Sequence, residues 1–151
     1  MISRSLAMLC ALVLATMASV AAQAQDSRTY IDGRSSADGN LPPYSGAVLL
    51  GDTLYLAGAL GTDENFEVPE DPADEARNVM NAIKGNVEAA GMTMDDIVSI
   101  QVFCTDLNLY QTFNDVYRTY FTQEYPARAF IGVGTLLFDA RFEVQGIAIR
   151  R

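Results

Sequence analysis

From Ala76 to Ala90 the apolar residues Ala76, Val79, Met80, Ile83, Val87 and Ala90 fall three or four apart and form one stripe, while the apolar runs on either side are short and nearly continuous. This change of period constrains the fold more than any other feature. It predicts a helix near 72–90, with Asp71 as cap, Pro72 at the first helical position, Asp74 and Glu75 at the positive end and Gly91 at the exit. Upstream, "SGAVLLGDTLYLAGALG" reads as a hairpin with strands near 46–50 and 53–59 about Gly51-Asp52. Downstream, "DDIVSIQVFCTDL" reads as a buried strand near 97–104. "NLYQTFNDVYRTYFTQ" reads as a second helix capped by Asn108, with Leu109, Phe113, Val116, Tyr117 and Tyr120 inward. Two more strands are expected near 127–133 and 142–149. The order β-β-α-β-α-β-β describes an α+β layer whose two helices cover one face of a sheet. The other face must meet solvent or a sister subunit.

The N-terminus lies outside this pattern. "MISRSLAMLCALVLATMASVAAQAQ" has one early charge at Arg4, an apolar run from Leu6 to Val20, and small residues ending in Ala22-Gln23-Ala24. That is the form of a cleavable secretory signal over 1–24, cut after Ala24. The run is about fifteen residues, short of the roughly twenty that span a bilayer. Cys10 lies inside it without the preceding small residue of a lipid-anchoring signal. The expected location is periplasmic or secreted, with no membrane attachment after cleavage. Residues 25–40, "QDSRTYIDGRSSADGN", read as a polar flexible arm, and 41–151 as one domain.

Charge and residue types exclude several chemistries. The formal net charge is −9, and cleavage would remove one further cation, Arg4. Such a chain repels nucleic acid and anionic lipid. There is no histidine, and cleavage would leave Cys104 as the sole cysteine. No metal site with imidazole or paired thiolates is available, and no triad with a His base. Cys104, in "VSIQVFC", reads as a buried small hydrophobe. Acid or base work must come from carboxylate, Lys, Tyr or water.

The C-terminal stretch "YPARAFIGVGTLLFDARFEVQGIAIR" places Arg128 and Glu143 among apolar neighbours. Alternation assigns Ala127, Ala129, Ile131 and Val133 to the helix side and Arg128, Phe130 and Gly132 to the other. It assigns Phe142, Val144, Gly146 and Ala148 to the helix side and Glu143 and Gln145 away from it. Both charges then fall on the open face, where they are solvated, paired as a structural ion bridge, or functional.

"YPAR", followed by a strand and "FEVQGIAIRR", resembles the C-terminal signature of the Rid family (RidA/YjgF, reactive intermediate deaminases). The likeness extends through "GNVEAAGMTMDDIVSIQVFCTDLNLYQTFNDVYRTYF" and "LPPYSGAVLLGDTLYLAGALG", and so covers nearly all of 41–151. It implies a chorismate-mutase-like α+β fold assembled as a homotrimeric barrel with clefts between subunits. It implies hydrolysis of 2-imino and 2-enamino acids to 2-keto acids and ammonia, with no metal or organic cofactor. By the same resemblance Arg128 binds the substrate carboxylate, Glu143 positions the attacking water, and Tyr44, Asn114, Phe130 and Gly58 line the cleft. Several features depart from the family pattern, among them Leu136-Leu137 where the family reads Leu-Pro and a short link between the second helix and "PAR". Ala57-Gly58-Ala59 stands where the family reads Ser-Gly-Gln, and Phe130 where a small residue or Cys is frequent. Phe130 should narrow the pocket or favour apolar substrates; the missing Ser and Gln, with the expected export, support an alternative, a non-catalytic trimer that binds small carboxylate metabolites.

Overall fold

The computed structural model describes residues 27–151 apart from 36, 38 and 40. The expected signal segment and its cleavage site lie outside the described residues. Six strands form one mixed sheet: β1 (Arg28–Ile31), β2 (Ala47–Leu50), β3 (Thr53–Leu60), β4 (Ile97–Cys104), β5 (Ala127–Gly132) and β6 (Phe142–Ile149). Their spatial order is β1-β2-β3-β6-β4-β5. Only the β4/β5 pair is parallel, and its crossover carries helix α2 (Tyr110–Tyr117). Helix α1 (Pro72–Ala89) connects β3 to β4.

Local chemistry sets the ends of these elements. Gly51 turns the β2/β3 hairpin with φ 59°, a conformation costly for residues with a Cβ. Asp71 caps α1 by accepting from the Ala73 N–H at 2.8 Å. The helix leaves through Gly91 at φ 71°. α2 is preceded by a 3-10 turn over Leu107–Leu109, and its cap is Asp106, which accepts from the Asn108 N–H at 3.0 Å. The expected cap, Asn108, therefore sits inside the 3-10 turn that Asp106 caps, and the α-helix that follows has Leu109 at its N-cap position, without a side-chain cap.

The core lies between the sheet and the two helices. Val79, Met80, Ile83 and Val87 of α1 and Phe113 of α2 are fully buried against Leu54, Val102, Phe142 and Val144 of the strands. Cys104 is fully buried, and its thiol donates to the Asp106 carbonyl at 3.1 Å; burial pushes its pKa up. A buried acid also holds the start of β6. Glu75 is wholly inaccessible and accepts from the N–H groups of Arg141 (2.6 Å) and Phe142 (2.9 Å) and from the Arg141 side chain. Arg141 in turn donates to the Pro69 and Glu70 carbonyls. Glu75 thus fixes the residues immediately before Glu143, a role beyond its favourable place in the first turn of α1.

Two expectations change. Part of the presumed arm, Arg28–Ile31, is a strand paired with β2 from Arg28↔Leu50 to Ile31↔Ala47. Tyr30 and Ile31 give that polar segment an apolar pair, and Ile31 packs on the core while β1 shields what would be a sheet edge. The faces of β5 are also the reverse of those expected. In parallel register Arg128 aligns with Ile100 and Phe130 with Val102, both β4 residues buried under the helices. Arg128 and Phe130 therefore face the helix side. On an edge strand of small residues the aromatic ring, with the larger apolar area, takes the inward place. β6 follows the expected alternation, with Phe142, Val144 and Ala148 inward.

Candidate active site

Arg128 projects from β5 onto the aromatic side of α2. Its Cζ lies 4.6 Å from the centroid of Tyr117 and 5.7 Å from those of Tyr110 and Phe130. Nη2 donates weakly to the Tyr110 hydroxyl at 3.4 Å. Ring faces attract the guanidinium charge without consuming its in-plane N–H donors. Among the described residues no carboxylate pairs with Arg128. A cavity of about 450 Å³ opens beside it, lined by Tyr110, Asn114, Tyr117, Arg118, Tyr125 and Arg128.

The tyrosines of this cavity differ electrostatically. The Asn114 side-chain hydrogen bond, and then the Arg128 charge, hold the Tyr110 phenol below its usual pKa. Burial pushes Tyr117 up to about 12, against the opposing pull of Arg128. Tyr117 thus stays neutral throughout the working range, and its buried hydroxyl has no hydrogen-bond partner among the described residues. Asn114 is itself 9% exposed, an interior amide rather than a surface one.

Glu143 stands elsewhere. It pairs with Leu60 of β3 and Phe103 of β4 and, lying between buried Phe142 and Val144, points away from the helices. Its carboxylate rests on the backbone of Gly58, where an added Cβ would come within 2.1 Å of Oε1. A second cavity, of about 440 Å³, is lined by Glu143 with Tyr44, Gly58, Ala59, Phe66 and Phe138 among others. Arg34 lies over the Tyr44 ring at 5.5 Å.

The residues expected to share one site therefore divide in a single chain. Arg128 and Asn114 line the first cavity; Glu143, Tyr44 and Gly58 line the second. Phe130 lines neither. Its ring meets Tyr110 edge-on at 5.0 Å and Phe113 at 5.6 Å, so it supports the platform under Arg128 rather than narrowing a pocket. Sequence reasoning placed Tyr117 inward but missed that it and Tyr110 carry Arg128. Their seven-residue separation puts both on one helix face, a signal that becomes useful only once the direction of Arg128 is known. Among the described residues no group of His, Cys, Asp and Glu side chains could hold a metal ion. No helix among them is long and apolar enough to cross a membrane.

Residues 36–150 match the family model described as Endoribonuclease L-PSP. The chain is 37% identical over 109 residues to a 2-iminobutanoate/2-iminopropanoate deaminase of Dermatophagoides farinae, covering 71% of this chain and 85% of that one. It is 38% identical over 113 residues to the protein of the same name in Escherichia coli strain K12, covering 72% and 88%. Among solved structures, E. coli TdcF with bound serine superposes with a TM-score of 0.73 at 34% identity, covering 82% of this chain and all of that one. The E. coli YjgF gene product gives 0.72 at 35% identity, again covering 82% and 100%.

Proposed function

Because the chain belongs to the Endoribonuclease L-PSP family, also called YjgF/Rid, we propose that it is an exported imine and enamine deaminase. It hydrolyses 2-imino and 2-enamino acids to 2-keto acids and ammonia. The observation that carries this reading is the Arg128 guanidinium, held on tyrosine faces at the mouth of a cavity with no carboxylate partner among the described residues. A planar fork so held is built to take a carboxylate through two parallel hydrogen bonds. Two relatives are named for deamination of 2-imino acids, and a third similar structure holds serine, itself a 2-amino carboxylate.

In this reading Arg128 grips the substrate carboxylate and orients the C=N carbon. Glu143 accepts a proton from water as the water oxygen bonds to that carbon, giving a carbinolamine. That proton returns to nitrogen, and Glu143 then carries the carbinolamine's hydroxyl proton to nitrogen as well, so that the C=O forms as the C–N bond breaks and ammonia leaves. No electron transfer is involved and no cofactor is required.

Arg128 and Glu143 face opposite sides of one sheet, so the site is completed by a second copy. We assign the assembly as a homotrimer in which the Arg128 cavity of one subunit meets the Glu143 cavity of the next. The face away from the helices supports this: Tyr55, Ile131 and Ile149 are exposed there at 49%, 36% and 45% beside the hydrogen-bonded pair Gln101 and Gln145. Export rests on the expected signal over 1–24, with a boundary at 24/25; the pairing of β1 with β2 joins the segment after it to the domain. The ribonuclease activity in the family's name is disfavoured by the net charge of −9 and the absence of histidine.

One observation favours a second reading. Ala57 and Ala59 give the Glu143 cavity methyl groups where a hydroxyl and an amide would assist water. A carboxylate-binding trimer without turnover would need only Arg128. An amino-acid oxidase generating 2-iminopropanoate in the presence of semicarbazide separates the two. Accelerated imine loss that disappears in Arg128→Ala supports the deaminase; keto-acid binding without acceleration supports the binding protein.

A further inference from the structure

The described residues include four non-glycine positions with left-handed backbone: Asp32 (φ 46°), Phe66 (63°), Phe138 (60°) and Asp139 (57°). Asp tolerates this region, but a bulky aromatic there is an outlier. Asp32, Phe66 and Phe138 all line the Glu143 cavity, and Asp139 follows directly. Strained backbone persists only where the surroundings over-determine it, and it concentrates at ligand sites. Both strained aromatics are held firmly. The Asp63 carboxylate accepts from the Asn65 and Glu67 N–H groups at 2.8 and 2.9 Å, closing the turn that carries Phe66. Phe138 sits three residues before Arg141, which the buried Glu75 anchors.

These loops do not deliver the rings to the core. Phe66 and Phe138 are 61% and 55% exposed and stack on each other, with centroids 5.4 Å apart and planes inclined by 32°. Leu137, 73% exposed, lines the same cavity. An apolar wall thus stands, preorganised, in the cavity that holds the carboxylate assigned to water.

We propose that the Phe66–Phe138 pair is a side-chain subsite that selects 2-imino acids with large branched or aromatic side chains over those derived from alanine. This rests on the deaminase reading. Occupation of the wall by the substrate, rather than by a second copy, follows from its place in one cavity with Glu143.

The test uses the mature chain, Phe66→Gly and Phe138→Gly, with imines generated from phenylalanine, leucine and alanine. Binding of phenylpyruvate and pyruvate is measured in parallel. Glycine removes each ring and relieves its backbone, so both variants should keep the wild-type melting temperature or exceed it. The expected result is that the kcat/KM ratio of the phenylalanine-derived to the alanine-derived imine falls about tenfold or more in each variant, the range a single apolar pocket contributes. The preference for phenylpyruvate over pyruvate in binding should fall in step. An unchanged ratio, with turnover intact, overturns the subsite alone. A change of oligomeric mass in Phe138→Gly also overturns it, because the ring would then belong to a subunit contact. No turnover of any imine by wild type removes the deaminase reading, and the keto-acid binding ratio still decides whether the wall selects side chains.

Discussion

Arg128 and Glu143 both flank β4, Arg128 beside Ile100 and Glu143 beside Phe103, and because those β4 residues are an odd number apart the two functional groups face opposite sides of the sheet. A guanidinium on one face and a carboxylate on the other cannot act on one substrate within a single layer. The proposed deaminase reading therefore takes its site from two copies of the chain.

Gly58 is the floor beneath Glu143. An alanine there would bring its Cβ within 2.1 Å of Oε1, the mobile end of a flexible side chain, so the carboxylate swings away while the backbone stays. Gly58→Ala should unfold within about 1 kcal/mol of wild type yet lose about tenfold or more in kcat, because a displaced base no longer meets its water. Paired denaturant titration and imine-trapping kinetics measure both.

The buried acid that fixes β6 should be costly to disturb. Arg141→Ala leaves the wholly buried Glu75 carboxylate without its cation and should destabilise by about 3–5 kcal/mol. Glu75→Gln keeps an acceptor for the Arg141 and Phe142 N–H groups and should cost less, about 1–3 kcal/mol. Urea unfolding of the two variants tests the order.

Tyr117 offers the opposite case. Its hydroxyl is buried without a partner among the described residues, while its ring carries Arg128 at 4.6 Å. Tyr117→Phe keeps the ring and removes the orphaned group. It should be neutral or stabilising by up to about 1 kcal/mol, with Arg128-dependent keto-acid binding retained; calorimetry reads both quantities.

Asp95 links stability to acid. The Thr122 hydroxyl, the Thr122 N–H at 2.9 Å and the Gln123 N–H at 3.3 Å donate to its carboxylate, and Thr122 above all holds its pKa below the usual value. A carboxylate depressed in the folded state stabilises above its unfolded pKa, and that contribution fades as pH falls through the folded value. The melting temperature of wild type should therefore exceed that of Asp95→Asn at pH 7, and the gap should close below about pH 4. A gap that persists at the lowest pH would assign the effect to packing.

The sequence made the layer legible because its signals were local: the stripe from Ala76 to Ala90, the Gly51 turn and the runs of β4 and β6 each declare their own period. The direction of Arg128 was not legible. In "ARAFIG" the alternation of small and large residues fits either face, and the choice is made by the parallel register with Ile100 and Val102, a contact between segments far apart in the chain. The β1 strand was hidden for a related reason, since its polar composition says nothing of the exposed β2 edge it covers. Glu75 gave a misleading signal, its first-turn position explaining a charge whose main partner is Arg141. Alternation put Arg128 and Glu143 on one open face, whereas the chain places them on opposite sides, beside two separate cavities.

Subunit mixing tests that division most directly. Arg128→Ala and Glu143→Ala, each inactive alone, would be unfolded together in equal amounts, refolded, and assayed for imine hydrolysis. If each site takes Arg128 from one copy and Glu143 from another, random assembly restores both groups to about a quarter of the sites, and about a quarter of wild-type activity should return. No recovery from a mixture shown by mass to contain hybrid oligomers would contradict the shared site and place the chemistry within a single chain.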